Sequence, residues 1–389
     1  MDFVRRFSWT YPATAFTCLL RKKVMENPAL DTFMTNWLKT HEHGVLPGAM
    51  LMRHGPVDYV GAALAVRGTL YFRGSHTVSV REEICRCFDD YEAIAKSHLT
   101  WLWREEPPEG PDKFAYAKAK PLREMVKRMD ADDHIGFAYT GGEKPHDASP
   151  WLFWVSGLRG WEAKLGWNGL DSLEFSLPRN VIEEHPTLFQ RLFVDFARRL
   201  NAEHGHGGLA FNLSAVRIEE NESTEAVMVS KMAGIDAGKA ILIAGLHEAG
   251  ILDHIKTVGW LTAINAHILS AVGGLDALRS ALPVDWFAKY DYGSGMVIQA
   301  GPEPEIAPVE LDAKPAIYVL PNMALRKVRI AKLGSLHEGS VDGEPRLYGA
   351  PAQRWLTRFD VSEDELPAYQ AKLLHEPKLT AETTLPDVL

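Results

Sequence analysis

The sequence predicts an α+β protein, with mostly antiparallel sheets and packed helices arranged as two strand–helix–strand halves. Two observations carry that prediction. Segments rich in β-branched and aromatic residues alternate with segments of helical period on both sides of an acidic run at 219–225. In the second half, "WFAKYDYGSGMVIQAG" reads as a hairpin that turns at "YGSG".

Residues 1–56 read as an irregular N-terminal segment, with turn signals at "HEHG" and "LPG". The first half, 57–215, opens with "VDYVGAALAVRGTLYFRG", which is one or two strands. The period then changes. Ile84, Phe88, Tyr91, Ala95, His98, Leu99 and Leu102 share a helical face, and Trp101 and Trp103 lead into a strand. "EEPPEGPDK" and "GGEKPHDASP" are Pro/Gly loops that enclose a charged helix near 118–130 and the strand "HIGFAY". "PWLFWVSGL" and "LEFSLP" have strand character. The clearest helix covers "EEHPTLFQRLFVDFARRLN", where Leu188, Phe189, Leu192, Phe193, Phe196, Ala197 and Leu200 form one apolar stripe. "EHGHGG" reads as its stop, since glycine past a helix end takes the left-handed conformation and histidine there suits the dipole. "GLAFNLS" follows as a strand and "EENESTE" as an exposed loop.

The second half, 226–335, begins with the apolar "KAILIAGL". In "IKTVGWLTAINAHILSAVGG" a strand or turn precedes a helix with Leu261, Ile264, Ile268 and Val272 inward. After the hairpin comes an acidic Pro-rich loop, "GPEPEIAPVELDAKP". "AIYVLPNMALRKVRI" reads as a strand running into a short helix or turn. Residues 336–389 form a polar, acidic C-terminal segment expected to wrap loosely.

The chain has 389 residues, room for one large or two modest domains, and its 46% hydrophobic content can supply a core. A net charge of -9 argues against general binding to nucleic acid or anionic membrane and favours a basic partner. Cys18, Cys85 and Cys87 are no disulfide framework and fit a reducing cytoplasm. No apolar run reaches the roughly 18 residues of a membrane span. "WTYPATAFTCLL" imitates a signal peptide, but "RKK" stands where the cleavage site should be. A cytoplasmic location is therefore expected.

The search for chemistry assembles no catalytic constellation. His204-Gly-His206 lacks further ligands at metal-binding spacing, and neither metal nor cofactor is expected. A phosphate loop follows a strand and opens a helix, whereas here the helix comes first. Cys85 and Cys87 lie about 200° apart on a helix and read as core. "GLHEAG" lacks the second histidine of a zinc-protease motif, and no Gly-x-Ser-x-Gly elbow exists. Glu183 and Glu184 read as acidic residues that complement the dipole at a helix start. Of the eleven tryptophans, Trp151, Trp154, Trp161 and Trp167 crowd together. Core packing is the commoner meaning of such a cluster; the functional one is an aromatic anchor for a partner.

"REEICRCFDDYEAIAKSHLTWLW" followed by "LEFSLPRNVIEEHPTLFQRLFVDFARRLNAEHGHGGLAFNLS", and then "IKTVGWLTAINAHILSAVGG" followed by "GMVIQAGPEPEIAP" and "AIYVLPNMALRKVRI", resemble in order and spacing the type VI secretion immunity family first catalogued as a domain of unknown function. The resemblance spans roughly 57–335. It implies a non-catalytic cytoplasmic antitoxin that binds and neutralises one cognate effector, a nuclease of the VRR-NUC or restriction-endonuclease type in several members. It carries over no set of interface residues. From charge and loop position, the expected contacts with a basic toxin are Glu219, Glu220, Glu222 and Glu225, then Glu303 and Glu305 in the Pro-rich loop, with Trp161 and Trp167 as aromatic anchors. The rival readings are a small-molecule hydrolase or transferase with dispersed catalytic residues, and a plain scaffold.

Overall fold

The 16 residues Val57–Phe72 form a single strand, β2, around which the molecule is built. The computed structural model describes residues 44–52, 55–165, 169–246, 250–309, 314–338 and 344–386. The expected irregular segment up to residue 43, Trp167 and the centre of "GLHEAG" lie outside these residues. β1 (Val45–Gly48) and β7 (Asp171–Leu177) pair with successive parts of one edge of β2, and β8 (His204–Leu213) runs along the other. The sheet continues from β7 through β6 (Leu152–Gly157), β5 (Ile135–Thr140) and β3 (Trp101–Arg104) to β4 (Lys113–Ala115). On the other side it continues through β9 (Leu261–Asn265) and β11 (Gly295–Ala300) to β10 (Phe287–Asp291). Among the described residues this is one eleven-stranded sheet with antiparallel ladders throughout. The β8–β9 pairing carries it from the first half into the second.

The helices are α1 (Val78–Ala95), α2 (Leu122–Val126), α3 (Gly160–Lys164), α4 (Arg179–Glu184), α5 (Leu188–Leu200), α6 (Ile218–Lys231), α7 (Ala240–Ala244), α8 (Ala266–Ala271), α9 (Gly274–Ala281), α10 (Ala316–Leu325), α11 (Ala350–Leu356) and α12 (Leu366–Leu373). Thr77 caps α1 by accepting from the Val80 N–H. α1 ends at Ala95, so His98, Leu99 and Leu102 fall beyond it. Glu183 and Glu184 close α4 rather than opening a helix.

α1 and α5 cover one face of the sheet with aromatic rings. Phe88 stacks on Tyr139 and meets Phe153 edge-on. Phe189, Phe193 and Phe196 surround Phe175. Both cysteines of α1 are buried; burial pushes the Cys85 thiol up to about 11 and the Cys87 thiol well above its usual value.

That aromatic layer explains "HGHGG" and corrects the helix-stop reading. α5 closes earlier, at Asn201, whose φ of 47° is the left-handed cap. His204 to Gly208 then belong to β8. His204 and His206 face one side, and Gly207, on the other, faces the phenyl rings of Phe189 and Phe193. Gly68 and Gly207 sit opposite each other in the ladder. A Cβ on Gly68 would lie 2.7 Å from Phe175 and 2.9 Å from Phe193, and one on Gly207 3.3 Å from Phe193. The glycines thus let α5 approach the sheet, a strand role rather than a capping one.

Three other expectations change. The acidic run 219–225 lies in α6, not in an exposed loop. "AIYVLPNMAL" is the helix α10; it is apolar and buried on nearly all sides, so its β-branched residues imitate a strand. The C-terminal segment does not wrap loosely: α12 packs on α10, and Trp355, Leu356, Phe359 and Leu373 are buried.

Phe193→Ala should lower unfolding free energy by about 3–5 kcal/mol, and Gly68→Ala by about 1–3 kcal/mol through overpacking. In a denaturant titration the double variant should cost less than the sum, because the missing ring makes room for the new methyl. Full additivity would mean that the two sites do not press on each other.

Candidate functional site

The face opposite the aromatic layer is polar. Ladder partners place Trp103, Ala138, Trp154, Glu174, Thr69, His206 and Thr262 in one row across the sheet. Near its middle stands a buried charge network centred on Asp236. Arg67 Nη2 donates to Asp236 Oδ2 at 3.0 Å, and Lys256 Nζ donates to Oδ1 at 2.7 Å. His206 Nε2 lies 3.1 Å from the same Oδ2. Burial alone would raise the Asp236 pKa, but Lys256, His206 and Arg67 outweigh it and hold the carboxylate well below its usual value. Burial lowers the pKa values of Lys256 and His206, with Asp236 offsetting part of each shift. Burial raises that of Glu174, whose Oε1 lies 3.6 Å from Arg67 Nε.

α6 lies over this network and clamps the C-terminal segment to it. Glu225 Oε2 accepts from the Gly238 N–H at 3.0 Å and pairs with His337 Nε2 at 2.8 Å. The Leu347 N–H donates to His337 Nδ1 at 3.1 Å, which places the ring proton on Nε2. Glu222 pairs with Arg346 and accepts from the Glu338 N–H at 2.8 Å. A small cleft beside these groups is lined by Arg67, Trp154, Glu174, Asn212, Glu222 and His337, among others. Both Asp236 oxygens are engaged by cations or imidazole, so this arrangement cross-links layers of the fold.

The expected interface residues are not brought together. Glu222 and Glu225 are 1% and 2% exposed, which corrects the reading of them as free loop charges. Their acidity is spent on internal partners more than a hundred residues away. Glu219 is exposed in the first turn of α6, while Glu220 is partly buried and accepts from Tyr59 Oη at 2.7 Å. Glu303 is exposed and Glu305 partly buried, in a loop meeting Ala233 and Gly234 just past the other end of α6. That helix separates the two acidic groups by roughly 20 Å. Trp161 is 39% exposed on α3.

Trp154, grouped in the sequence with Trp151, Trp161 and Trp167, is instead placed beside Trp103. Trp103 and Trp154 flank Ala138 on the polar face, and both are partly exposed. Trp103 Nε1 donates to the Pro145 carbonyl at 3.0 Å, and Trp154 Nε1 to Glu105 Oε1 at 3.2 Å. Glu105 opens a loop with exposed Glu106, Glu109 and Asp112, and an ion pair between Glu106 and Arg159 joins this loop to the start of α3. The Trp-x-Trp alternation at 101–103 is the sequence signal that could have pointed here.

The family described as "Type VI immunity for VRR-NUC" (TsiV) matches residues 83–359. The chain belongs to this family and is an immunity protein of type VI secretion. A solved structure described as "Pseudomonas aeruginosa T6SS protein PA0821" is 48% identical and superposes with a TM-score of 0.87, covering 93% of this chain and 100% of that one. No curated protein matches. These similarities do not favour the hydrolase or transferase alternative. No helix among the described residues is long and apolar enough to cross a membrane.

Arg346→Met should leave Glu222 buried without its cation and cost about 3–5 kcal/mol. Limited proteolysis should then cut first in the C-terminal segment; an unchanged cleavage pattern would mean that the pair does not hold it. Glu305 supplies a pH test. Burial, aided by Glu376 and Glu303, raises its pKa from 4.5 to about 7. Its contribution is fully present below the unfolded value and is lost as pH rises through the folded one. Glu305→Gln should therefore raise the thermal midpoint at about pH 8 and change it little at about pH 4. An equal effect at both values would show that Glu305 titrates normally.

Proposed function

We propose that this chain neutralises a VRR-NUC nuclease effector by binding it, without chemistry of its own, in the cytoplasm where DNA is at risk. The observation that carries the reading is the family match from within α1 to Phe359, which takes in most of the sheet and the C-terminal clamp. Charge supports it. A nuclease meets a polyanion and needs a basic face, to which a chain of net charge -9 is complementary. In this reading Glu219 and Glu303 act as steering charges that set association rate, with the partly buried Glu220 and Glu305 contributing less.

Titration of the purified effector domain against the chain in a DNA-cleavage assay tests both parts. Cleavage should stop at a one-to-one ratio and resume when the complex is dissociated. Silencing at far below one-to-one would point to a catalytic mode of protection. Cleavage that persists at large molar excess would remove the nuclease as the target.

A further inference from the structure

Helix α1 packs on one face of the β6 end of the sheet, and Trp103 and Trp154 stand on the opposite face. We propose that this aromatic shelf, with the acidic loop Glu105–Asp112 at its end, is where the basic surface of the effector docks. The inference rests on the nuclease-immunity reading above and names the surface that reading leaves open.

Four observations converge on this place. Both indole N–H groups are already paired within the chain, so a partner covers apolar ring surface without stranding a donor. Both rings stand on paired strands, with Ala138 between them in register, so little side-chain freedom remains to be lost on binding. The Trp103 ring already accepts a cation: Lys113 Nζ lies 5.4 Å from its centre, the geometry a partner's arginine or lysine would use. Negative charge is concentrated at the rim. Glu106, Glu109 and Asp112 are exposed; Glu106 is paired with Arg159, and Arg104 bonds the Glu109 and Pro111 carbonyls of the same loop, which leaves Glu109 and Asp112 as its outermost acidic charges. Trp161 on α3 and Leu165, just past its end, are 39% and 69% exposed, close in sequence to the Arg159 that pairs with Glu106. By contrast, the acidic side chains of α6 at 222 and 225 are committed to internal partners. A rigid aromatic centre with a charged rim is the arrangement in which a few residues dominate affinity and the rim sets on-rate.

Binding kinetics with the purified VRR-NUC domain of the cognate effector, over a salt series, test the proposal on the full chain. Trp154→Ala should weaken affinity by about 30-fold or more, mostly through faster dissociation. Charge reversal at Glu106, Glu109 and Asp112 to Lys should slow association by about tenfold at low salt and flatten its salt dependence. Glu184→Lys, exposed at the end of α4, serves as the control and should behave as wild type. Because Trp154→Ala could disturb the sheet, oxidative footprinting of the wild-type complex gives a second readout, in which Trp103 and Trp154 should lose reactivity on binding. Wild-type binding with unchanged kinetics in the charge-reversed variant and an unprotected Trp154 would overturn the docking surface alone. No binding by the wild-type chain would overturn the nuclease reading and this inference with it.

Discussion

Asp236 is the group on which the polar half of the structure depends. It lies between strands β2 and β8, which supply Arg67 and His206, and Lys256, which precedes β9. Bringing these charges out of water is costly, and only complete pairing offsets that cost. Removing any one partner leaves the others buried and uncompensated, so the network favours a single arrangement of layers over near alternatives. Its reach extends through Glu225 and Glu222 to His337 and Arg346, which makes the C-terminal segment part of the core in energetic terms.

The two faces of the central strands solve different problems with one alternating pattern. On one side, glycines at 68 and 207 leave room for phenyl rings. On the other, Arg67, Thr69 and His206 meet a polar cap. A strand buried on both faces normally reads as a continuous apolar run. Here glycine and histidine take those places, which is why "HGHGG" looked like punctuation between elements.

Much of the fold was legible because its signals are local. The α5 stripe, the hairpin at "YGSG" and the strands "HIGFAY" and "LEFSLP" follow from period and composition alone. The illegible parts depend on distant partners. Glu222 and Glu225 look like surface charges until Arg346 and His337 are placed beside them. Carboxylates buried against internal partners invert the polarity pattern from which helix faces are read, so α6 passed for a loop. α10 failed for the opposite reason: burial on nearly every side erases the helical period. The aromatic shelf was hidden because a row across a sheet draws residues from strands some fifty positions apart, and no sequence window holds Trp103 and Trp154 together.

That same row ties the shelf to the network. Trp154 stands opposite Glu174 in the ladder, and Glu174 stands opposite Thr69, two residues from Arg67. The indole is therefore one strand away from Glu174 and two from the strand that carries Arg67. A binding surface gains when its side chains are fixed before the partner arrives, because ordering them no longer subtracts from affinity. Charges buried beneath a cap at the centre of the sheet, and partly exposed aromatic rings farther along the same face, give that rigidity by construction. Stability and recognition then become separable in the sequence. Substitutions around Asp236 act on the fold, whereas exposed changes in the Glu106–Asp112 loop leave the buried pairs untouched.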